Sequence, residues 1–261
     1  MTRTVTTLSV VSHGQGELVR QLLADVESLC PHDVEVIVTH NIPEPATFRD
    51  SDYSFPLTVI ENRERMGFAA NQNQAFHQGS GEYFCIVNPD VRLIGNPFPA
   101  LQNALGASGV GVVGPAVVNP LGEVEPSARK FPTPRSIMRK VLAWKPLHDY
   151  GDKITICDPD WIAGTFMMFK REMYARIGGF DEHYFLYYED VDLCARMQIS
   201  GLRVVVEPTV SIIHDASRRS WCNLYYMMIH ARSMLRFFRC HSRALIRPRS
   251  NRPINARGAL P

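Results

Sequence analysis

Three carboxylates fall within four residues, at Glu189, Asp190 and Asp192, in the run Tyr187-Tyr188-Glu189-Asp190-Val191-Asp192-Leu193-Cys194-Ala195-Arg196. Acids at a helix start complement the helix dipole and cap the first turn. That accounts for one acid and partly for a second. It does not account for the apolar Phe185-Leu186-Tyr187-Tyr188 just before them. Such aromatics would set the acids on the floor of an apolar cleft, where crowding and desolvation raise a carboxylate pKa and make a usable general base. A second acid, Asp90, ends Asn88-Pro89-Asp90, directly after the apolar Tyr83–Val87. A carboxylate at a strand end can hold a hard divalent ion that bridges a diphosphate, though it is also a common turn or cap residue. His214 closes the apolar Val210–Ile213. Most lone histidines are structural, yet with Asp90 it would suit an Mn²⁺-like ion. Ser217-Arg218-Arg219-Ser220 follows, either a diphosphate clamp or a solvated basic turn. Finally, Asn62 to Asn73 sets amides around Gly67-Phe68-Ala69-Ala70. Small residues let a ligand approach the backbone, and amides read heterocycle edges.

These residues need elements to position them. Short apolar runs at 5–11, 34–39, 57–61 and 83–87 read as strands. Between them, 17–29 carries Leu18, Leu22, Val26 and Leu29 at helical spacing, and 71–78 fits a second helix. Strands alternating with helices predict an α/β fold with a doubly wound, mostly parallel sheet, whose ligands bind beyond the carboxyl ends of the strands. Loops 11–16, 39–45, 61–70 and 88–92 therefore hold the candidate contacts. Residues 110–118 form another buried strand. Gly109, Gly111 and Gly114 there match GxGxxG only formally, because Pro115 follows and no helix opens. From 126 to 160, five prolines and several cations predict a long mobile segment with one short helix at 136–144, of the kind that serves as a lid or binding loop. Beyond it the pattern predicts a strand at 161–170, helices at 171–177 and 191–199, short strands at 203–207 and 210–213, and a long helix at 223–238.

Composition narrows the class. The 261 residues are 45% apolar and 10% aromatic with a net charge of +2, which excludes general disorder. Six scattered cysteines without CxxC spacing exclude a disulfide scaffold and a zinc site, and suit a reducing cytoplasm. The start lacks the features of a signal peptide, and no apolar run reaches the about 18 residues a membrane span needs. The charge is unevenly placed. Residues 216–261 hold ten Arg and no acid, whereas the other 215 residues hold 18 basic and 26 acidic groups. An acidic body with a basic, aromatic tail predicts an anionic partner surface, membrane or nucleic acid.

Taken together and in order, these segments resemble the inverting family 2 glycosyltransferases of GT-A fold, and within them the rhamnosyltransferase-like branch. The motifs are GFAANQNQAF (67–76), GEYFCIVNPDV (81–91), GPAVVNPLGEVEPSARKFPTP (114–134) and IGGFDEHYFLYYEDVDLCARMQISGLRVVVEP (177–208), within a likeness spanning 5–240. The resemblance implies a glycosyltransferase domain over 1–215, with 1–118 binding the nucleotide sugar and 119–215 the acceptor, and a basic helical tail over 216–261. It implies Asp190 as base with Glu189 beside it, and Mg²⁺ or Mn²⁺ held by Asp90 and His214. Ser12, Asn41, Asn62, Gly67, Phe68, Asn71, Asn88, Asp90, Arg218 and Arg219 would contact the nucleotide sugar. Trp161, Gly164, Thr165 and Tyr188 would face the acceptor. The implied donor is a dTDP- or UDP-sugar, with dTDP-β-L-rhamnose favoured. The acceptor would be a lipid-linked or growing surface glycan, and the tail would rest on the inner face of the cytoplasmic membrane. Two departures stand out. The opening loop reads Ser12-His13-Gly14, and His40-Asn41-Ile42-Pro43 replaces the family's Asp-Asn-x-Ser, so an Asp that holds base or ribose is missing. An altered donor, or a non-catalytic sugar-nucleotide or glycan-binding protein, is the alternative that follows. A sugar nucleotidyltransferase would want a Lys-bearing, glycine-rich first loop, and nucleic-acid binding by the whole domain conflicts with its acidic body.

Overall fold

The computed structural model describes residues 6–32, 34–143, 158–215 and 224–245. The β-branched runs form the strands. In chain order they are β1 (Thr6–Ser12), β2 (Val34–His40), β3 (Leu57–Glu61), β4 (Tyr83–Val87), β5 (Val91–Leu93), β6 (Val110–Val118), β7 (Ala128–Arg129), β8 (Trp161–Ile162), β9 (Phe166–Lys170) and β10 (Arg203–His214). The helices are α1 (Gly16–Leu29), α2 (Phe68–Gln78), α3 (Phe98–Gly106), α4 (Pro134–Ala143), α5 (Arg171–Arg176), α6 (Glu189–Ile199) and α7 (Leu224–Leu245). Eight strands make one sheet in the order β3-β2-β1-β4-β9-β6-β10-β5.

β1 pairs in parallel with β2 and β4, and β2 with β3. β9 runs antiparallel to both β4 and β6, and β10 runs parallel to β6. Six strands therefore end on one edge, at Ser12, His40, Glu61, Val87, Val118 and His214. The antiparallel β9 starts there, at Phe166 opposite Val87. Helices cover both faces, which is why these strands read as nearly continuous apolar runs. Val19, Leu22, Leu23 and Val26 of α1 form the i, i+3, i+4, i+7 stripe that meets Leu8, Val10, Cys85 and Val87 on one face. On the other, Phe84, Ile86, Met167 and Phe169 pack with Phe76, Tyr174 and Leu193. A third cluster joins α6 to α7 through Tyr188, Val191, Ala195 and Phe237.

Several expected elements are redrawn. The single strand expected over 161–170 is two, β8 and β9, because Trp161 and Ile162 pair with β7 in a separate two-stranded sheet. The chain then bends through Ala163, Gly164 and Thr165. The two short strands expected at 203–213 are one, β10, with a register shift after Glu207 where Pro208 interrupts the ladder. Strand β5 and helix α3 were not expected. Within the segment expected to be mobile, β7 and α4 are formed, while 144–157 lies outside the described residues.

Candidate active site

The acids are delivered by an unusual turn. Tyr187 and Tyr188 both have positive φ, +67° and +69°. Bulky residues rarely occupy that region, and strained backbone of this kind clusters at functional sites. The turn is held from outside: the Tyr188 ring lies 5.6 Å from Phe237 and 5.2 Å from His230. α6 then starts at Glu189, two residues earlier than its apolar periodicity suggests, so all three acids sit in its first turn.

Asp190 is enclosed by protein yet keeps part of its surface open. Its Oδ2 accepts the Gly164 N–H at 2.9 Å and its Oδ1 the Val191 N–H at 2.8 Å. Burial pushes its carboxyl above the ordinary aspartate range, and those two N–H groups and the Arg129 charge only partly offset it. Glu189 is buried, and its Oε2 has no partner. Burial first, and then the neighbouring Asp190, drive its carboxyl well above the usual range. Two adjacent buried carboxyls cannot both ionise cheaply. Of the two, Asp190 has the surroundings that favour its charged form, with two N–H donors at a helix N-terminus, whereas Glu189 Oε2 has no donor. A Cβ at Gly164 would sit 3.7 Å from both Asp190 Oδ2 and Phe68 Cε1, in contact with the carboxylate.

Asp90 occupies the turn between β4 and β5. The Asn88 N–H donates to the Thr165 carbonyl at 2.9 Å, next to the residue that caps Asp190. Two backbone groups thus link the Asp90 turn to Asp190. Asp90 Oδ1 is buried without a partner, and Oδ2 lies 3.5 Å from His214 Nε2. Glu125, which the sequence reading missed, accepts from His214 Nδ1 at 2.8 Å. Burial would lower the imidazole pKa, but the Asp90 and Glu125 carboxylates outweigh it and the net shift is upward. Asn119-Pro120-Leu121-Gly122 is a turn signal between apolar runs. It returns the chain so that Val124 bridges Val118, and that hairpin places Glu125.

No three His, Cys, Asp or Glu side chains among the described residues form a complete metal cluster. The Asp90–His214 pair nonetheless fits a divalent ion. Mg²⁺ is commonly held by one or two carboxylates with substrate phosphates completing the shell, and a metal-bound imidazole commonly donates its other N–H to a carboxylate, the place Glu125 takes. The orphaned Asp90 Oδ1 is the free ligand atom such an ion needs.

Of the expected nucleotide contacts, Asn41, Asn62 and Asn71 are engaged with one another. Asn41 accepts the Met66 N–H at 2.8 Å, and its Nδ2 donates to the Met66 carbonyl at 2.9 Å. Asn62 donates to Asn41 at 3.1 Å and to Asn71 at 2.6 Å. This amide network shapes the loop before α2. Gly67 lets that loop pass the acid motif, since a Cβ there would sit 2.8 Å from the Phe185 carbonyl oxygen. The Phe68 N–H donates to the same oxygen. Ser12 Oγ donates to Glu44 Oε2 at 2.8 Å. At the position of the missing Asp, buried His40 pairs through Nδ1 with Glu61 and leaves Nε2 without a partner. On the other side, Trp161 Nε1 donates to the Lys130 carbonyl, and the Arg129 guanidinium lies 5.4 Å from the Trp161 ring. Arg218 and Arg219 lie outside the described residues.

The profile described as glycosyl transferase family 2 matches residues 8–178. The chain belongs to glycosyltransferase family 2. A second profile, described as an N-terminal domain of galactosyltransferase, matches 158–217, across the acid motif. This glycosyltransferase is 26% identical over 226 residues to N-acetylglucosaminyl-diphospho-decaprenol L-rhamnosyltransferase of Mycobacterium tuberculosis, covering 78% of the chain and 74% of the relative. It is 40% identical over 67 residues to rhamnosyltransferase WbbL of Escherichia coli, a match covering 26% of the chain and 24% of the relative. Among solved structures, a Pyrobaculum calidifontis mannosyltransferase in complex with GDP-Man and Mn²⁺ superposes with a TM-score of 0.60 at 20% identity, over 97% of this chain and 68% of that one. GalNAc-T7 with UDP, GalNAc and Mn²⁺ gives 0.62 at 14% identity, over 81% and 43%. The central sheet flanked by helices is thus the GT-A fold.

Proposed function

We propose that the chain is an inverting, divalent-cation-dependent rhamnosyltransferase. It would move L-rhamnose from dTDP-β-L-rhamnose to a lipid-linked or growing surface glycan. The observation that carries this reading is the half-buried Asp190 carboxylate, held by the Gly164 and Val191 N–H groups and linked through Gly164 and Thr165 to the Asp90 turn. The Mycobacterium tuberculosis relative, named for L-rhamnosyl transfer and a diphospho-decaprenol substrate, supports the donor and acceptor classes. In this mechanism Asp190 takes the proton from the acceptor hydroxyl. The freed oxygen attacks the anomeric carbon opposite the diphosphate, the bond to the diphosphate breaks, and configuration inverts. Asp90 and His214 would hold Mg²⁺ or Mn²⁺, with the His214 ring neutral and its Nδ1–H directed at Glu125. When bound, the cation neutralises charge on the departing diphosphate. Arg218 and Arg219 would assist there. Trp161, Gly164 and Tyr188 would border the acceptor, while Ser12, Asn62, Gly67 and Phe68 would line the donor side.

A thermal-shift panel of dTDP-, UDP- and GDP-sugars with and without Mn²⁺ tests the donor. At about 100 times Kd, bound ligand adds ~2.7 kcal/mol, or roughly 5–10 °C in Tm for a chain of this size. A shift of that order with dTDP-L-rhamnose, dependent on Mn²⁺, is expected. A shift with GDP-sugars alone would overturn the donor.

The proposed membrane surface falls partly outside the described residues, since 216–223 and 246–261 are not described. No helix among the described residues is long and apolar enough to cross a membrane. The outer side of α7 exposes Leu224, Met228 and Leu235 beside Arg232 and Arg239. That pattern suits an anionic interface, where each cation contributes about 1 kcal/mol. The protein should float with phosphatidylglycerol vesicles and the variant R232E/R239E should not. Equal flotation of both would remove this helix from the interface.

A further inference from the structure

Asp192 lies two residues beyond the proposed base and has no part in the mechanism above, yet it is buried and fully engaged. Its Oδ1 pairs with His241 Nε2 at 2.7 Å and accepts from the Tyr184 hydroxyl at 3.4 Å. Its Oδ2 accepts from Arg196 Nε at 2.8 Å. Arg196 in turn donates to the carbonyls of Ile177 and Gly179, both at 2.7 Å. The His241 and Asp192 side chains are only 7% and 4% exposed, so water does not compete for the bond.

His241 is the end of a stripe. Ser233, Phe237 and His241 recur every four residues along α7 and are its buried positions among the described side chains. Ser233 Oγ donates to the Leu186 carbonyl at 2.9 Å. The Phe237 ring packs at a tilt against Tyr188, centroids 5.6 Å apart, and against His241, 5.1 Å apart. Arg236, beside the stripe, pairs with Asp181 at 2.6 Å. α7 therefore grips residues 181, 186, 188 and 192, on both sides of the left-handed Tyr187 and Tyr188. A strained turn persists only where its surroundings over-determine it. Both family profiles end by residue 217, so this support comes from chain beyond them.

We infer that His241 is a positioning residue for the glycosyl transfer step: through Asp192 it holds the turn that presents Asp190, which makes α7 part of the catalytic apparatus. This rests on Asp190 as the base. The test uses the full chain with H241F, H241Q and D190N, assayed with dTDP-L-rhamnose, Mn²⁺ and a polyprenyl-diphospho-N-acetylglucosamine acceptor. Phe keeps the ring packing against Phe237 but removes the donor to Asp192. Gln keeps a donor. H241F is expected to lose about 10–100-fold in kcat, as small misplacements of a reacting group do, with the donor KM within about 3-fold of wild type. H241Q should recover most of the loss. Amide exchange over 181–191 should quicken in H241F while β1 and α1 stay protected. A folded H241F with wild-type kcat, or H241Q falling as far as H241F, would overturn the inference. Near-normal turnover by D190N would remove the base instead. Should dTDP-L-rhamnose not be the donor, exchange decides: unchanged protection over 181–191 in H241F would overturn the positioning role.

Discussion

Asp190→Asn is expected to lower kcat by about 10²–10⁴-fold, the range that general-base catalysis supplies. Asparagine retains the size of the side chain and one oxygen to accept the Gly164 N–H, gives up only the local bond from the Val191 N–H, and cannot take a proton. Folding and donor binding should therefore survive, and the loss should appear in kcat rather than in the donor KM. The pH profile adds a sign. The base works when ionised, and burial raises the Asp190 carboxyl above the usual aspartate range. Wild-type kcat should accordingly rise with pH along an acid limb displaced upward from that range, and the residual activity of D190N should lack that limb. Near-normal turnover in a steady-state transfer assay would end the assignment.

Asp90→Asn should abolish the response to divalent cation. The carboxylate has one buried oxygen without a partner and the other 3.5 Å from His214 Nε2. An amide is the same size and a far weaker ligand. Charge neutralisation on a leaving diphosphate is worth several kcal/mol, so the loss in turnover at saturating Mn²⁺ should be about 10²–10³-fold. The assay is a Mn²⁺ titration of transfer, with EDTA-treated wild type as the floor. Identical Mn²⁺ dependence in D90N and wild type would move the cation elsewhere.

Asp90 and His214 were legible as candidates because they sit where an α/β fold puts chemistry, at strand ends, and the acids of α6 because three of them crowd a helix start. Tyr83–Val87 followed by Asp90, and Val210–Ile213 followed by His214, can be located by periodicity alone. Glu125 cannot. It reaches His214 across 89 residues of sequence, through a hairpin that only the folded sheet aligns. The amides Asn41, Asn62 and Asn71 were legible as polar groups near a ligand edge, but not as partners of one another. The apolar run 161–170 looks like one strand because hydrophobicity does not register the bend at Gly164. In the fold that bend places an N–H against Asp190. Helix α3 was obscured by Pro97 and Pro99 around its start, although Phe98, Leu101 and Leu105 carry its buried stripe. In the long C-terminal helix the cations and aromatics interleave, which fits an interfacial helix and a packed one alike. Its inner stripe gains meaning only from the residues between 181 and 192 that it meets.

The anomeric configuration of the product tests direct displacement most closely. With dTDP-β-L-rhamnose, Mn²⁺ and a polyprenyl-diphospho-N-acetylglucosamine acceptor, NMR of the isolated product reports the new linkage through its one-bond C1–H1 coupling. Attack opposite the diphosphate by an acceptor oxygen deprotonated at Asp190 gives an α-L-rhamnoside. A β-linked product, with configuration retained, would contradict it.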